Sequence, residues 1–518
     1  MLSFREALTK GVRSDARQGI GSANFSVYSG AKPTPHGARG SGTLSTFISS
    51  PTLSGAGITI NYPYPQVFRG KKYTILATQT GLWYFSESTG ALTAITTYDL
   101  RSPHTTKSIT SGGTWRFVDF HDTWMLFNGA CTVVKSNWLD PNKVFVQNET
   151  TVVTGCDFKG RLVLGGFDNS NFWSTAWTTV WNSWTEQARE WGMTLSAPGT
   201  NWVYWSPIGQ ATFIELMLAS TAVNDIYGVW GGFDLEDPRF LEGLRSLESG
   251  MMPMDYQGTV WNCVPFRDSV IVYGSEGISA IKPFVEPAPT FGLIESVGSV
   301  GLASRNSVCV NKDLQLFVGS DGVLYSIDGK FQLTRLGFEE YLNPLLGTEI
   351  LITKDPNRNE YFISSDDITY HLTESGMGRY YTNLISAFYY DGPIGTDTEF
   401  RGIRDSTADL STATLTTEIF DFGTGDLKTI ERIQWITKNY TVAFTVSYRN
   451  SRNESFVTTS SYSVDNRGWT YVGLSGIEFY LTISLTGSPL TAETNHLNDI
   501  IVFLREGTKM SVKPRMNA

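Results

Sequence analysis

The chain has 518 residues, with 50 acidic against 40 basic side chains and a formal net charge of −10. That length exceeds one ordinary domain, so two or more are expected, and the acidic balance argues against a surface built to grip duplex DNA, which needs a basic face. Aromatic residues are plentiful (15 Trp, 23 Tyr, 30 Phe) while charged residues make up only 17%, which suits a β-rich protein with large buried or interfacial surfaces.

The first 20 residues (MLSFREALTKGVRSDARQGI) contain no long apolar core and do not read as a secretory signal. No apolar run approaches the length that spans a bilayer, so the expectation is a protein made in a cytosol with no membrane insertion. Residues 1–68 have little periodicity and many Gly, Ser, Thr and Pro, and read as an extended arm that docks on a neighbour, with local strand around 57–61. Charge is uneven. Arg5, Lys10, Arg13, Arg17, Lys32 and Arg39 face only Glu6 and Asp15 in the first 40 residues; Arg505, Lys509, Lys513 and Arg515 face only Glu506 at the other end, where 506–518 form a basic tail. Basic arms bordering an acidic body suit contacts with neighbouring subunits, and Arg5, Lys10, Arg13 and Arg17 are the candidates for them.

Residues 69–395 carry a recurring unit: a short turn, a strand-forming run, a Gly/Asp tip and a second strand. The clearest copies are 308–327 (VCVNKDLQLFVGSDGVLYSI) and 264–281 (VPFRDSVIVYGSEGISAI), with looser ones at 73–85, 116–135, 156–167 and 350–372. Glycine supplies the positive φ that such tips need, and alternating aromatic and β-branched residues suit half-buried strands. Radial repetition stacks many such units with few exposed edges, so the unit predicts an irregular β-propeller of about six blades.

Two stretches interrupt the repeat. In 172–191, Trp173, Trp177, Trp181 and Trp184 fall at a helical spacing, although Thr175, Thr178, Thr179 and Val180 weigh against a helix. Such a stripe binds sugars or bases in some proteins and more often packs against its own domain. The second is an insertion near 225–254, where Asp225, Asp234, Glu236, Asp237, Glu242 and Glu248 outnumber Arg239 and Arg245. Within it, 237–249 reads as a short amphipathic helix capped by Asp237, with Pro238 in its first turn.

After a polar passage at 396–405, six short alternating segments (415–422, 429–438, 442–449, 468–472, 476–485 and 497–503) suffice for one small β-sandwich spanning about 405–505. Its expected core is Phe420, Ile433, Trp435, Phe444, Val446, Trp469, Phe479, Leu481, Ile483, Ile501 and Phe503. The fold class is therefore all-β: a propeller followed by a C-terminal sandwich.

The sequence offers no catalytic constellation, no metal-ligand spacing and no cofactor motif. His-Glu-x-x-His, Gly-x-Ser-x-Gly and Walker-type loops do not occur. Cys131, Cys156, Cys263 and Cys309 are widely spread and read as small buried hydrophobes. His36, His104, His121, His371 and His496 are isolated and read as surface or loop residues. Residues 463–470 (SVDNRGWT) resemble the Asp-box turn of sialidase-like propellers, with glycine displaced; a hairpin between sandwich strands is the simpler explanation. The adjacent pair Glu339/Glu340, taken as strand residues, points to opposite faces and cannot flank one glycosidic bond. The reading is that of a protein without enzymatic activity.

The order of motifs in the C-terminal domain carries a resemblance. Residues 419–436 (IFDFGTGDLKTIERIQWI) lead into 442–450 (VAFTVSYRN), a Trp strand start at 468–471, 478–487 (EFYLTISLTG) and a closing 497–506 (LNDIIVFLRE). This resembles the small sandwich ending many bacteriophage head-to-tail proteins. Residues 291–329 and 201–209 resemble the blades of the same proteins. The chain is thus similar, over roughly 69–505, to the β-propeller tail nozzle and head-closure (packaged-DNA stabilisation) proteins of short-tailed phages. The resemblance implies a virion tail component assembled in the host bacterial cytoplasm. It also implies a homo-oligomeric six-fold ring below a head-to-tail adaptor, contacts with tail fibre or tail tip proteins, and double-stranded DNA passing the lumen without sequence-specific binding. Asp234, Glu236, Asp237, Glu242 and Glu248 are the candidate channel-lining residues, with an outward-facing insertion as the equal alternative. A propeller that binds or cleaves polysaccharide, as a tail protein, is the second class of function.

Overall fold

The computed structural model of the chain describes residues 2–506 apart from 8–24, 36, 41–44, 61–64, 100–103, 122, 137–139, 141, 148–150, 169–198, 207, 209–249, 285–289, 311–313, 356–358, 367, 381–383, 385–393, 396–398, 403–411, 422–425, 439–440 and 487–495. Six antiparallel units follow one another along the chain, and each copy of the sequence repeat falls in its own unit. Blade 1 runs Gln66–Arg69, Thr74–Ala77, Leu82–Ser86 and Ala91–Ala94. Blade 2 starts at Arg116–Phe120 and adds Thr97–Asp99 in parallel on its outer edge. Blades 3, 4, 5 and 6 start at Thr151–Phe158, Val260–Phe266, Val308–Val310 and Leu351–Lys354. The first strands of blades 2, 3 and 4 pack side by side, as the innermost strands of a propeller do.

The repeat's turn chemistry explains the hairpins. In blade 5 the tip is held by Gly319 N–H donating to Val323 O at 2.9 Å and by the Asp321 carboxylate accepting from Val323 N–H and the Tyr325 hydroxyl. Gly322 has φ +74°, and a Cβ there would sit 2.8 Å from the Asn343 Cα, so only glycine fits. In blade 3, Lys159 and Gly160 both take positive φ, the two-residue turn that matches strand twist. The apolar side chains gather between blades: Trp124, Leu126 and Val133 between blades 1 and 2, Val163, Val203 and Val272 between 3 and 4, and Tyr273, Phe317 and Ile327 between 4 and 5.

The sandwich is not a separate bead. The last strand of blade 6, Gly376–Arg379, pairs in parallel with the N-terminal strand Phe25–Ser29, whose other edge pairs antiparallel with Thr412–Thr417. One ten-stranded sheet therefore runs from blade 6 through Glu478–Thr486 and Thr441–Arg449. The facing sheet holds Lys428–Lys438 between Trp469–Gly476 and His496–Glu506, with Leu2–Ala7 on the free edge of the last. Between the sheets lie Trp435, Phe444, Val446, Phe479, Leu481 and Ile483, with the Trp435 and Phe444 rings 4.6 Å apart.

Four expectations need correction. Among the described residues, the strands of 1–68 pair with this chain's own sheets rather than extending away: Leu2–Ala7 on the last strand, Phe25–Ser29 between domains, Ala31–Thr34 with Gly37–Gly40, and Ser45–Ile48 against Phe400–Gly402. Apart from the hairpin of Ala31–Thr34 with Gly37–Gly40, their partners are hundreds of residues away, and non-local pairing leaves no local periodicity to read. Trp469, Ile501 and Phe503 are only half-buried, and Leu497, Ile500, Val502 and Leu504 face the core instead. That last strand is apolar on both parities, and register shifts at Ile430/Arg432 and Ile436/Thr437 decide which parity turns inward. Residues 463–470 cross from one sandwich sheet to the other rather than closing a hairpin, since Tyr462–Ser463 pairs with Thr441–Arg449 and Trp469–Gly476 with Lys428–Lys438. Glu339 and Glu340 open a short helix, Glu339–Leu342, not a strand.

Candidate functional site

The propeller axis is where inner strands converge, and it holds both a polar network and a cavity. The network begins in the links that lead into blades 2, 5 and 6. Asn306 Nδ2 donates to Thr114 Oγ1 at 2.8 Å and to Glu349 Oε1 at 3.0 Å. Arg116 Nη2 and Asn262 Nδ2 both donate to the Arg305 carbonyl, at 2.9 and 3.0 Å, and Arg305 Nη1 donates to the Asn128 carbonyl at 3.3 Å. Gly129, at φ +82°, makes room for that guanidinium: a Cβ there would lie 2.8 Å from Arg305 Nη1. Burial pushes the Glu349 carboxyl up, opposed by the Asn306 hydrogen bond and the nearby Arg305 and Arg116 charges. Burial likewise pulls Arg305 down, opposed by Glu349. The Glu349 carboxylate offsets part of the charge of Arg116 and Arg305, whose guanidinium groups bond to backbone carbonyls. The network joins the links into three blades and so braces the ring of blades.

Beside it lies a cavity of about 310 Å³ between the first strands of blades 1 to 4. Phe68 and Phe117 stack at 5.4 Å on one wall, and Arg116, Asp119, Asp157 and Asn262 supply polar groups. Asp119 accepts the Lys71 N–H and Asp157 the Gly160 N–H, which fixes each carboxylate on the backbone. Cys156 and Cys263 also line the cavity. Burial drives both thiols up, Cys263 to about 12, so they stand as protonated thiols rather than nucleophiles. All four cysteines are buried and free, in keeping with their reading as small hydrophobes. The cavity has the size of a small-ligand site and no activated nucleophile.

A second cluster fastens the N-terminal hairpin to blade 6. Lys32, 2% exposed, reaches both oxygens of Glu360 at 2.7 and 3.1 Å, and His371 Nε2 lies 2.9 Å from the same carboxylate. Phe362 stacks on the imidazole at 4.6 Å. Burial raises the Glu360 carboxyl, but the His371 hydrogen bond and the Lys32 charge outweigh it and hold the group well below the usual carboxylate range. Burial pulls His371 below its ordinary value despite Glu360. His371 is thus a core residue, not the loop histidine expected. Nothing in its own neighbourhood signalled this, since Glu360 and Phe362 reach it only across paired strands and Lys32, which shares the carboxylate, comes from the N-terminal hairpin.

The candidate channel residues Asp234, Glu236, Asp237, Glu242 and Glu248 lie outside the described residues, as do Lys10, Arg13, Arg17 and the Trp173–Trp184 stripe. Arg5 sits in Leu2–Ala7, in register with Ile501. Among the described residues no group of three or more His, Cys, Asp or Glu is placed to hold a metal, and no helix is long and apolar enough to cross a membrane.

No protein-family model and no curated protein matches the sequence. Solved structures show a distant likeness. The extracellular domain of a putative one-component system from B. thetaiotaomicron is 12% identical, with a TM-score of 0.39 over 90% of this chain and 61% of that one. PorZ, a surface component of the type-IX secretion system of Porphyromonas gingivalis, is 8% identical with a TM-score of 0.31, over 72% of this chain and 36% of that one. An exo-β-1,3-galactanase from Phanerochaete chrysosporium is 8% identical with a TM-score of 0.28, over 79% and 99%. This chain spans about six-tenths of the first structure's length. At these values the likeness carries neither an activity nor a ligand to this chain.

Proposed function

We propose that the chain is a structural subunit of a short-tailed phage tail, a nozzle or head-to-tail connector component that forms a ring through which the genome is retained and then ejected. The observation supporting this most is how buried charge is used. Arg305 and Glu349 brace the blades, and Lys32, Glu360 and His371 clamp the N-terminal hairpin, so these ionisable groups join elements instead of waiting in a cleft; Arg116 does both, donating to the Arg305 carbonyl and lining the axial cavity. A ten-stranded sheet shared by both domains makes a stiff two-domain body, the property a ring subunit under load needs. Under this proposal DNA passes between copies, not along the axis of one propeller. In this reading the acidic insertion with Asp234, Glu236, Asp237, Glu242 and Glu248 borders that lumen, where carboxylates repel phosphates over about a Debye length, ~8 Å. The ring would sit below an adaptor and above fibre or tip proteins in the virion.

The axial cavity favours one other reading, a propeller that binds a small polar ligand such as a glycan, with Asp119, Asp157 and Arg116 as its polar contacts. Native mass spectrometry of the purified chain, with melting scans against a glycan panel, separates the two. Ring-sized masses without glycan stabilisation support the structural subunit; a monomer stabilised by one glycan class overturns it.

A further inference from the structure

The outer face of the sandwich sheet formed by Lys428–Lys438, Trp469–Gly476 and His496–Glu506 carries a cation held between rings. Arg432 lies directly across from Phe503 on one side and Tyr471 on the other. Its guanidinium carbon is 4.6 Å from the Trp469 ring centroid and 4.7 Å from that of Phe503, and the two rings are 5.3 Å apart. These are the aromatic residues expected inside the core, and the register shift beside Arg432 turns them outward. Tyr471 is 74% exposed, the most exposed large hydrophobic side chain among the described residues.

Arg432 has no carboxylate partner among the described residues, and its Nε is buried without a hydrogen bond. Stacking on two rings holds the fork rigid and partly dehydrated, which removes the entropy cost that usually weakens a surface ion pair. Arg505, exposed at the end of the last strand, adds a second cation in the row of Thr429 and Ser475, and Arg5 lies in register with Ile501 in the row of Gln434 and Trp469. Tryptophan, tyrosine and arginine are the residues that dominate protein interfaces, and a broad sheet face suits a protein rather than a small molecule.

We propose that this face is an interface for a second copy of the chain, which supplies carboxylates to the Arg432 fork. Charge complementarity selects that occupant: among the described side chains, the cations Arg432 and Arg505 outnumber the one acid beside them, Glu431, on an aromatic face of a body whose net charge is −10. The inference rests on the ring reading and names the surface that makes the ring.

The test is sedimentation velocity of the full chain across concentration and salt, for the natural protein, Tyr471→Ala, Arg432→Glu and Arg432→Lys. Tyr471→Ala cannot disturb the core, and melting curves check the others. The expected result is self-association that weakens about tenfold or more in Arg432→Glu, falls in Tyr471→Ala, is partly kept in Arg432→Lys and declines with added salt. If the natural chain assembles and Tyr471→Ala and Arg432→Glu assemble equally well, the face is not the interface, while the ring reading stands. A natural chain that stays monomeric at every concentration overturns both.

Discussion

Replacing Lys32 with methionine tests how the N-terminal segment is held. The ammonium is buried against a carboxylate whose side chain is 17% exposed, and it contacts both carboxylate oxygens. Methionine preserves the packing of the stem but leaves Glu360 charged and facing only His371, which burial keeps from taking a proton easily. Breaking one side of a buried pair typically costs about 3–5 kcal/mol. Partial access of water to Glu360 puts the expected loss at the lower end, about 3 kcal/mol. Urea unfolding followed by tryptophan fluorescence measures it, and limited proteolysis reports whether the strands Ala31–Thr34 and Gly37–Gly40 open first. The double variant Lys32→Met/Glu360→Leu removes both charges and should recover the stability to within about 1 kcal/mol of the natural chain. A single-variant loss below about 1 kcal/mol, with no new cleavage near residue 35, would refute the clamp.

The same cluster sets an acid response. His371 lies below its ordinary 6.5 and Glu360 below its ordinary 4.5, so the unfolded chain binds protons first at both sites. Stability should therefore fall as pH drops below about 6.5 through His371, and again below about 4.5 through Glu360. His371→Gln should flatten the upper part of a Tm–pH profile and also shrink the lower part, because it removes the imidazole charge that helps hold Glu360 down; an unchanged upper part contradicts this. Trp435→Ala empties a site 3% exposed in the sandwich core and should cost about 3–5 kcal/mol by chemical denaturation, whereas a loss under about 1 kcal/mol would mean the core re-forms without the indole. Gly166→Ala should destabilise blade 3 by about 2–4 kcal/mol, because its φ is +73° and a Cβ would meet the Val260 carbonyl; a Tm within a degree of the natural chain would show that the strand shifts at no cost.

Local chemistry was readable where it was local. The Gly-Ser-Asp-Gly and Gly-Ser-Glu-Gly tips marked hairpins because Asp321 and the tip glycines act within five residues of each other. What depended on distant pairing was not. Phe25–Ser29 has too few residues to show a pattern, and its place between Gly376–Arg379 and Thr412–Thr417 follows from two edges that the chain creates only on folding. Parity in 497–506 was ambiguous because six apolar residues sit on both faces, so the outward Phe503 and Trp469 were misassigned to the core. The axial site was similarly hidden: Thr114, Arg305, Asn306 and Glu349 are ordinary loop residues until three blades bring them together. The acidic insertion and Lys10, Arg13 and Arg17 were legible as charge, but they lie outside the described residues.

Electron microscopy of the purified, assembled chain tests the central claim most directly. The account predicts closed rings with an open lumen between subunits and the propeller axes displaced from the ring axis. Isolated monomer-sized particles at every concentration, or DNA density running along a single propeller's own axis, would contradict it.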